Sequence, residues 1–226
     1  MSRLRVASYN IRLGLEQGLD AVAEVLQRLD ADVVALQEIG RRWTMGVDVD
    51  QVETLARKTG FEFYAFCPTL VRNGHQLFGH ALLSKAELSE LCPLELPRQR
   101  DEARRLLRSS LAYNGVRVTI LSLHLSHLDD ERPAQVECLS REIASIEGPL
   151  VVVGDLNEPR PERLESMFRA HGLEDCGAAE GDNTFPASDP QERRDLVAIR
   201  GFTIGQPVEV LQSKASDHLP LVVELL

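Results

Sequence analysis

The chain has 226 residues, 43% of them hydrophobic, and its 35 acidic residues outnumber 25 basic ones to give a net charge of −10. This length and composition predict a globular protein, and we expect a single domain over residues 1–226 because no linker, repeat or low-complexity tract divides the chain. The acidic charge argues against broad electrostatic binding to nucleic acid but allows a locally positive cleft.

The chain shows no targeting or membrane-spanning pattern. Its start, MSRLRVASYN, enters a strand pattern at once, and the longest apolar runs are far too short to cross a membrane. The four cysteines are scattered without a CxxC pair, which disfavours a zinc site and favours reduced thiols. We therefore expect a monomer in the cytoplasm.

Hydrophobic periodicity predicts alternating strands and helices in the first half of the chain. An amphipathic helix is expected over Gly18–Leu29, between strands at 4–11 and 32–38. A second helix over about 50–59 ends at Gly60, a plausible helix-terminating glycine. Further strands are predicted at 61–66, 77–84, 108–113 and Val116–His124, with a hairpin at Asn114-Gly115 joining the last two.

The second half continues the same alternation. A third helix is expected over about 130–146 and a fourth over about 161–171, on either side of a short buried strand at 150–153. A polar, proline-containing loop follows at 182–191. The last strands are predicted at 195–200, 208–211 and 218–225.

The stretch PLVVVGDLNEPR, residues 149–160, carries two polar side chains where its buried strand ends. Asp155 and Asn157 are two residues apart, so in an extended chain they lie on one face with Val151 and Val153. The alternative is an ordinary turn, because Gly, Asp and Asn are common turn residues. This segment alone does not choose between them.

The pattern across strands is more informative than any single strand. Four predicted strands end in a polar group on the face that carries their apolar residues, and two later segments begin with one. If the two groups run in opposite directions, all six ends meet at one edge of the core, which fits two sheets packed face to face with helices outside. The residues are Asn10, Glu38, His124, Asp155 with Asn157, Asp195, and Asp217 beside His218.

These side chains suit the hydrolysis of a phosphate ester. Crowded carboxylates repel one another, so a cation is needed, and oxygen-rich ligands without cysteine favour Mg²⁺ or Mn²⁺ over zinc. Such a cation neutralises phosphate charge while a base activates water. Each residue also has a plainer interpretation as a turn former, helix cap or solvated strand end.

The chain resembles the endonuclease/exonuclease/phosphatase superfamily. The matching motifs are SYNIR (8–12), ALQE (35–38), FGHALLSK (78–85), LSLHL (121–125), VVGDLNEP (152–159), RRDLVAI (193–199) and ASDHLPLV (215–222). They stand in family order over nearly the whole chain, and GDLN and SDHLP are the specific ones. The resemblance implies an α/β fold, a four-layer sandwich of two packed mixed β-sheets flanked by helices.

The resemblance also implies a role for each residue. Glu38 looks like the main metal ligand, with Asn10 and Asp217 near the metal. Asp155 resembles the residue that orients or deprotonates the attacking water, and Asn157 a phosphate contact. The remaining roles are those of His218 as the phosphate-side histidine, Asp195 as the carboxylate that holds it, and His124 as the histidine that assists the leaving group.

The sequence departs from the family at positions that bear on the substrate. Leu196 follows Asp195 where an aromatic is usual, and His80 stands where many bacterial members have asparagine. The tryptophan of the abasic-site branch is missing near Glu192. Arg194 also replaces a usually apolar residue.

The expected function is therefore a Mg²⁺- or Mn²⁺-dependent phosphoesterase, with a small molecule or lipid headgroup favoured as the phosphate-ester substrate. A DNA endonuclease or exonuclease is the alternative, with nucleic acid as the partner, and a catalytically inactive binding protein is the third reading. Arg41, Arg42 and Trp43 follow the Glu38 strand and are candidate substrate contacts. Arg104, Arg105 and Arg108 are further candidates for substrate contact, but such a cluster more often forms a solvated charged face.

Overall fold

The computed structural model describes residues 3–100, 102–159, 162–177 and 182–226. Within these ranges the chain forms twelve strands and four α-helices. The strands are β1 (Leu4–Asn10), β2 (Val33–Gly40), β3 (Phe63–Arg72), β4 (His75–Ser84), β5 (Ser89–Glu95), β6 (Arg105–Tyr113), β7 (Val116–His124), β8 (Leu150–Asp155), β9 (Glu174–Asp175), β10 (Asp195–Arg200), β11 (Ile204–Val210) and β12 (Leu221–Leu225). The helices are α1 (Gly18–Leu29), α2 (Gln51–Thr59), α3 (Arg132–Ala144) and α4 (Glu162–Ala170).

The strands form two six-stranded mixed sheets. The first has the order β11-β12-β1-β2-β4-β3 and the second the order β5-β6-β7-β8-β10-β9. Residues of both sheets share one apolar cluster, which includes Val6, Val33, Ile120 and Val151. A second cluster joins α1 and α2 to the first sheet, and a third joins α3 and α4 to the second sheet. The predicted four-layer α/β sandwich is confirmed.

Strand direction brings the predicted polar ends to one edge. β1 and β2 are parallel, as are β7 and β8. β12 runs antiparallel to β1, and β10 runs antiparallel to β8. The carboxyl ends of the first four strands therefore lie at the same edge of the sandwich as the amino ends of the other two.

The helix signals in the sequence match the structure closely. Gly18–Leu29 is helical with the predicted bounds, and it buries Leu19, Val22, Leu26 and Leu29 because they recur at helical spacing. In α2, the Asp50 side chain accepts a hydrogen bond from the Glu53 backbone N–H at the first turn, and Gly60 ends the helix with φ 78°. No helix in the part of the chain that the structure describes is long and apolar enough to span a membrane.

Several boundaries differ from the sequence predictions. β12 begins at Leu221 rather than at His218 because Pro220 has no N–H to donate to a neighbouring strand. β3 extends to Arg72, well beyond the predicted end at residue 66. β5 was not predicted at all, since it is mostly exposed and Pro93 interrupts its pattern. The predicted start of the fourth helix, Pro161, lies outside the described residues.

Arg104 contradicts the prediction of a solvated charged face. It is only 4% exposed, and its guanidinium donates to Glu102 at 2.8 Å. Arg105 and Arg108 are more exposed and pair with Glu95 and Glu142. Charge patterning could not separate these three arginines, because which one turns inward depends on the neighbouring sheet and loops.

Candidate active site

Glu38 reaches the site through a β-bulge and not through strand alternation. Val34 and Leu36 pack against the helices, so strict alternation points Glu38 away from the second sheet. The pairing of β2 with β4 shifts between Leu36 and Ile39, and Glu38 has φ 50°. Ile39 then joins the helix-side cluster, and Glu38 Oε1 accepts a hydrogen bond from Asn10 Nδ2 at 3.1 Å. The predicted shared face is wrong because of this bulge.

Asp155 is the buried centre of the site. Its side chain is 0% exposed, and Oδ2 accepts a hydrogen bond from Asn10 Nδ2 at 3.0 Å. Asn10 therefore donates to both Glu38 and Asp155, one carboxylate from each sheet. Burial raises the pKa of Asp155 to about 6, although His218 nearby opposes the rise. A carboxyl group with a pKa near neutrality is suited to accept a proton.

Asn157 enters the site by a turn, so the extended alternative is wrong. The strand ends at Asp155, and Asn157 has φ 51° in the left-handed region that asparagine tolerates. Its backbone N–H donates to Asp155 Oδ1 at 2.7 Å. Its side-chain Nδ2 lies 2.9 Å from His124 Nε2 and donates to Leu125 O at 3.0 Å.

His124 and Asn157 form a neutral pair. Burial lowers the pKa of His124 well below its usual value, and the buried cation Arg104 lowers it further. With Nδ2 of Asn157 as the donor, Nε2 of the neutral ring is the acceptor of this hydrogen bond. In this state His124 orients Asn157 and has no proton on Nε2. His124 Nε2 also lies 3.6 Å from Asp155 Oδ2.

His218 is paired with Asp195. The Nδ1 atom of the histidine lies 2.8 Å from Asp195 Oδ2, and its Nε2 lies 3.8 Å from Asp155 Oδ2. Burial alone lowers the pKa of His218, but the carboxylates of Asp195 and Asp155 outweigh burial and raise it to about 9. The imidazole is therefore protonated at neutral pH, with Nε2–H directed toward the centre of the site.

Asp217 joins the same cluster at its more open side. Its side chain is 31% exposed, and Oδ2 lies 3.4 Å from Arg12. Ser216 connects it to the centre, because the Ser216 hydroxyl is within hydrogen-bond distance of both Asp217 Oδ1 and the Asn10 carbonyl oxygen. Asp217 therefore lies at the open side of the cluster, whereas the adjacent His218 lies at the buried side with Asp195.

The donor set fits a hard divalent cation. Glu38, Asn10 and Asp217 offer carboxylate and amide oxygens, the atoms that Mg²⁺ and Mn²⁺ prefer. Among the described residues, Asp155, Asp195 and His218 also place ligand atoms within 4.8 Å of one another. The second trio is the poorer cation site, because a His218 that holds a proton on each nitrogen cannot act as a ligand.

The three candidate substrate residues after β2 behave differently. Arg41 is committed to the fold, since its Nε donates to Asp50 at 2.6 Å and its guanidinium lies over the Phe66 ring. Arg42 is exposed and makes no side-chain hydrogen bond or ion pair with any residue that the structure describes. Trp43 is half-buried, and the Arg72 guanidinium lies over the Trp43 ring, 5.5 Å from the ring centroid.

The loop at 182–191 contributes residues that sequence reasoning missed. Thr184 is fully buried, and its hydroxyl accepts hydrogen bonds from the backbone N–H groups of Arg194 and Asp195. Its carbonyl accepts from Leu219 N–H, so one residue links the segments carrying Asp195 and His218. Phe185 packs against the His218 ring at 4.9 Å, and Arg194 lies over Phe185. A polar loop gives no sequence signal for such contacts.

His80 lies beneath the site between the sheets. It is 1% exposed, and its Nδ1 lies 3.1 Å from the Ser122 hydroxyl on β7. Burial lowers the pKa of His80 to about 3, so it is neutral. On β4, His80 lies between Ala81, which pairs with Leu36, and Gly79, which pairs with Ile39, so it is the β4 residue opposite the bulge that carries Glu38.

Comparison with known proteins gives distant curated relatives and close structural neighbours. A UPF0294 protein of Yersinia enterocolitica is 29% identical over 144 residues, which are 59% of this chain and 53% of that protein. The chain thus spans about half the length of that relative. An endonuclease/exonuclease/phosphatase structure from Beutenbergia cavernae matches with a TM-score of 0.85 at 21% identity, covering 100% of this chain and 72% of that one.

A mannosyl-6-phosphatase structure from Bacteroides thetaiotaomicron matches with a TM-score of 0.80 at 16% identity, covering 99% of each chain. At these identities the structures show the shared fold. Membership rests on the sequence, since the profile of the Endonuclease/Exonuclease/phosphatase family matches residues 7–218. This match runs from the Asn10 strand to His218 and includes every residue of the cluster. The chain belongs to the Endonuclease/Exonuclease/phosphatase family.

Proposed function

We propose that this protein hydrolyses a phosphate mono- or diester by metal-assisted attack of water, with Mg²⁺ or Mn²⁺ as the cation. The observation that carries the proposal is the position of Asp155. It is fully buried, has a pKa raised to about 6, and contacts Asn10 with both histidines close by. The solved mannosyl-6-phosphatase of the same fold supports a phosphate ester as the substrate class.

Glu38, Asn10 and Asp217 would hold the cation, because they supply its preferred oxygen atoms beside Asp155. A bound divalent cation supplies charge neutralisation at the phosphate. Asp155 orients the attacking water and accepts its proton. The hydrogen bonds from Asn10 and from the Asn157 backbone fix both carboxylate oxygens, so the orientation of Asp155 does not depend on the substrate.

The protonated His218 donates from Nε2 to a phosphate oxygen, and Asp195 holds the ring through Nδ1. His124 holds the Asn157 amide in place, and the predicted contact of Asn157 with the phosphate requires Nδ2 to give up one of its two hydrogen bonds, to His124 Nε2 or to Leu125 O. The predicted role of His124 at the leaving group requires it to gain a proton first, because the neutral ring accepts at Nε2. Arg42 is the candidate arginine for substrate contact that remains after Arg41 is assigned to the fold.

Hydrolysis of bis-p-nitrophenyl phosphate and p-nitrophenyl phosphate, with Mg²⁺ or Mn²⁺ and then with chelator, tests the proposal. We expect metal-dependent release of p-nitrophenol that disappears in Asp155→Asn. No turnover of these esters, of lipid headgroup esters or of DNA under any metal would instead favour the catalytically inactive binding protein. Turnover restricted to DNA would favour the nuclease.

A further inference from the structure

A cavity of about 980 Å³ lies directly beside the proposed active site. One wall is the face of α1 that carries Ala21, Glu24, Val25 and Arg28, and the opposite wall consists of the loops 186–188 and 212–217. From Ala21 to Arg28 the helix rises roughly 10 Å, so the cavity is long enough for a ligand much larger than one phosphate group.

The cavity is continuous with the proposed metal site. Asp217 and Ser216 line it, and Ser216 also donates to the carbonyl oxygen of Asn10. The Ala187 backbone N–H donates to the Asp217 carbonyl oxygen at 2.7 Å. The loop 186–188, which forms part of the wall opposite α1, is therefore attached to Asp217. A phosphate ester bound beside Asp217 therefore has this cavity as the adjoining space for its non-reacting part.

The residues that line the cavity include three positive and three negative side chains. Arg12 is already paired with Glu16 at 2.6 Å and with Asp217 at 3.4 Å. Arg28 and Lys214 are exposed, and neither makes an ion pair or side-chain hydrogen bond within the described ranges 3–100, 102–159, 162–177 and 182–226. Of the three acids, Glu16 and Asp217 share Arg12, and Glu24 has no ion-pair partner among the described residues. The lining is therefore neutral overall in a chain of net charge −10, and Arg28 and Lys214 are the two cations in it that are open to a ligand.

We propose that this cavity binds the non-reacting part of the substrate and that Arg28 and Lys214 contact a second anionic group on it. The substrate class is thus a phosphate ester that carries another phosphate or carboxylate on its far side. This inference rests on the proposed function. The half-buried Ala21 and the buried Val25 give the cavity an apolar wall for the carbon skeleton between the two anionic groups.

A matched pair of chromogenic diesters tests the specificity. Both are p-nitrophenyl alkyl phosphates, and the alkyl arm ends either in a methyl group or in a second phosphate. In the wild-type protein we expect kcat/KM to be about tenfold higher for the phosphate-ended ester, the scale of two charge-assisted contacts at an exposed site. In Arg28→Ala with Lys214→Ala, this ratio should fall close to one.

Arg57→Ala is the matched control, since Arg57 is an exposed arginine on α2 that pairs with none of the residues the structure describes and is not among those that line the cavity. It removes the same charge and should keep the wild-type ratio. A wild-type ratio near one overturns the inference, as does an equal fall in the control. In either case, continued hydrolysis of bis-p-nitrophenyl phosphate leaves the proposed function standing.

Calorimetric titration of hexanediol bisphosphate against hexyl phosphate, using the Asp155→Asn protein, separates binding from turnover. We expect tighter binding of the bisphosphate and at least about a fivefold loss of that advantage when Arg28 and Lys214 are both replaced by alanine. Equal affinity for the two ligands, or an advantage that survives both replacements, overturns the inference. If the advantage depends on both residues while the wild-type protein hydrolyses no ester, the anion site stands and the proposed function fails.

Discussion

The amide Nδ2 of Asn10 donates a hydrogen bond to Asp155 Oδ2 at 3.0 Å, between residues 145 positions apart in the chain. Asn10 ends a strand of the first sheet, and Asp155 ends a strand of the second. The same Nδ2 also reaches Glu38. Asn10 therefore connects the proposed metal ligand, Glu38, to the proposed base, Asp155, across the sandwich.

Replacing Glu38 with glutamine should reduce activity mainly through metal affinity. The change removes a charged oxygen ligand at nearly constant volume. We expect the concentration of Mg²⁺ or Mn²⁺ needed for half-maximal activity to rise at least about tenfold, with partial rescue at high metal. Metal titrations of the activity measure this. Glu62→Gln, at an exposed position away from the cluster, is the control, and an unchanged metal requirement in Glu38→Gln rejects Glu38 as the ligand.

Asp155→Asn and His218→Ala should each lower kcat by at least about a hundredfold, the scale of a lost acid–base or charge-stabilising group. Steady-state kinetics on bis-p-nitrophenyl phosphate measures the loss. Thermal unfolding should still show one cooperative transition in each variant, because the apolar clusters are unchanged. Wild-type turnover in a folded variant contradicts the assigned role.

The pair of His218 and Asp195 should make stability depend on pH. The pKa of His218 is raised from 6.5 to about 9, so the folded protein keeps a proton that the unfolded chain loses. The stabilisation is fully present below pH 6.5 and is lost as the pH rises to about 9. We expect a loss on the order of 1–3 kcal/mol in the free energy of unfolding.

Urea unfolding of chelated protein at intervals between pH 6 and about pH 9 checks this. Asp195→Asn is the comparison, since it removes the carboxylate that contributes most to raising this pKa. The slope through this range should be smaller in the variant. Equal slopes in both proteins contradict the assignment. Buried Cys67 and Cys176 contribute to the slope of both proteins alike. Asp195 also raises the pKa of Asp155, which is about 6, so the two slopes are compared over the upper part of the range, where the difference reports His218.

Alanine replacements of Arg41 and Arg42 should have different effects, on stability and on substrate binding respectively. Arg42→Ala should raise KM for the true substrate more than it lowers kcat, because Arg42 is exposed and unpaired among the described residues. Arg41→Ala should instead lower the free energy of unfolding by roughly 1 kcal/mol through the lost pair with Asp50. Kinetics and urea unfolding on both variants decide between the two effects. A larger fall in kcat than rise in KM for Arg42→Ala would move it into the chemical step.

Duplex DNA should be a poor substrate. A nuclease that neutralises several phosphates needs a continuous positive track, whereas this chain has a net charge of −10 and lacks the tryptophan of the abasic-site branch. Plasmid, linear and abasic DNA with Mg²⁺ and Mn²⁺ at low salt provide the test. Efficient cleavage that disappears in Asp155→Asn contradicts this prediction and favours the nuclease.

Motif order in the sequence was enough to predict the family and, through it, the four layers, whereas strand alternation predicted that the polar strand ends converge only if the two groups of strands run in opposite directions. The reason is that these features depend on local patterns. Alternation along β7, β8 and β10 places His124, Asp155 and Asp195 toward the first sheet, as predicted. The bounds of α1 could also be predicted from the local sequence, because this helix has both an apolar stripe and a polar face.

Tertiary structure decided how several of these residues reach the site. The position of Glu38 depends on a bulge in β2, which is fixed by the packing of Ile39 against the helices. The position of Asn157 depends on a turn that is stabilised by Asp155. The burial of Arg104 and the contact of Phe185 with His218 join segments far apart in the chain. A pattern of residue types fixes which face a regular strand buries, but bulges, turns and loop contacts are chosen by the free energy of the assembled core, which no single segment contains.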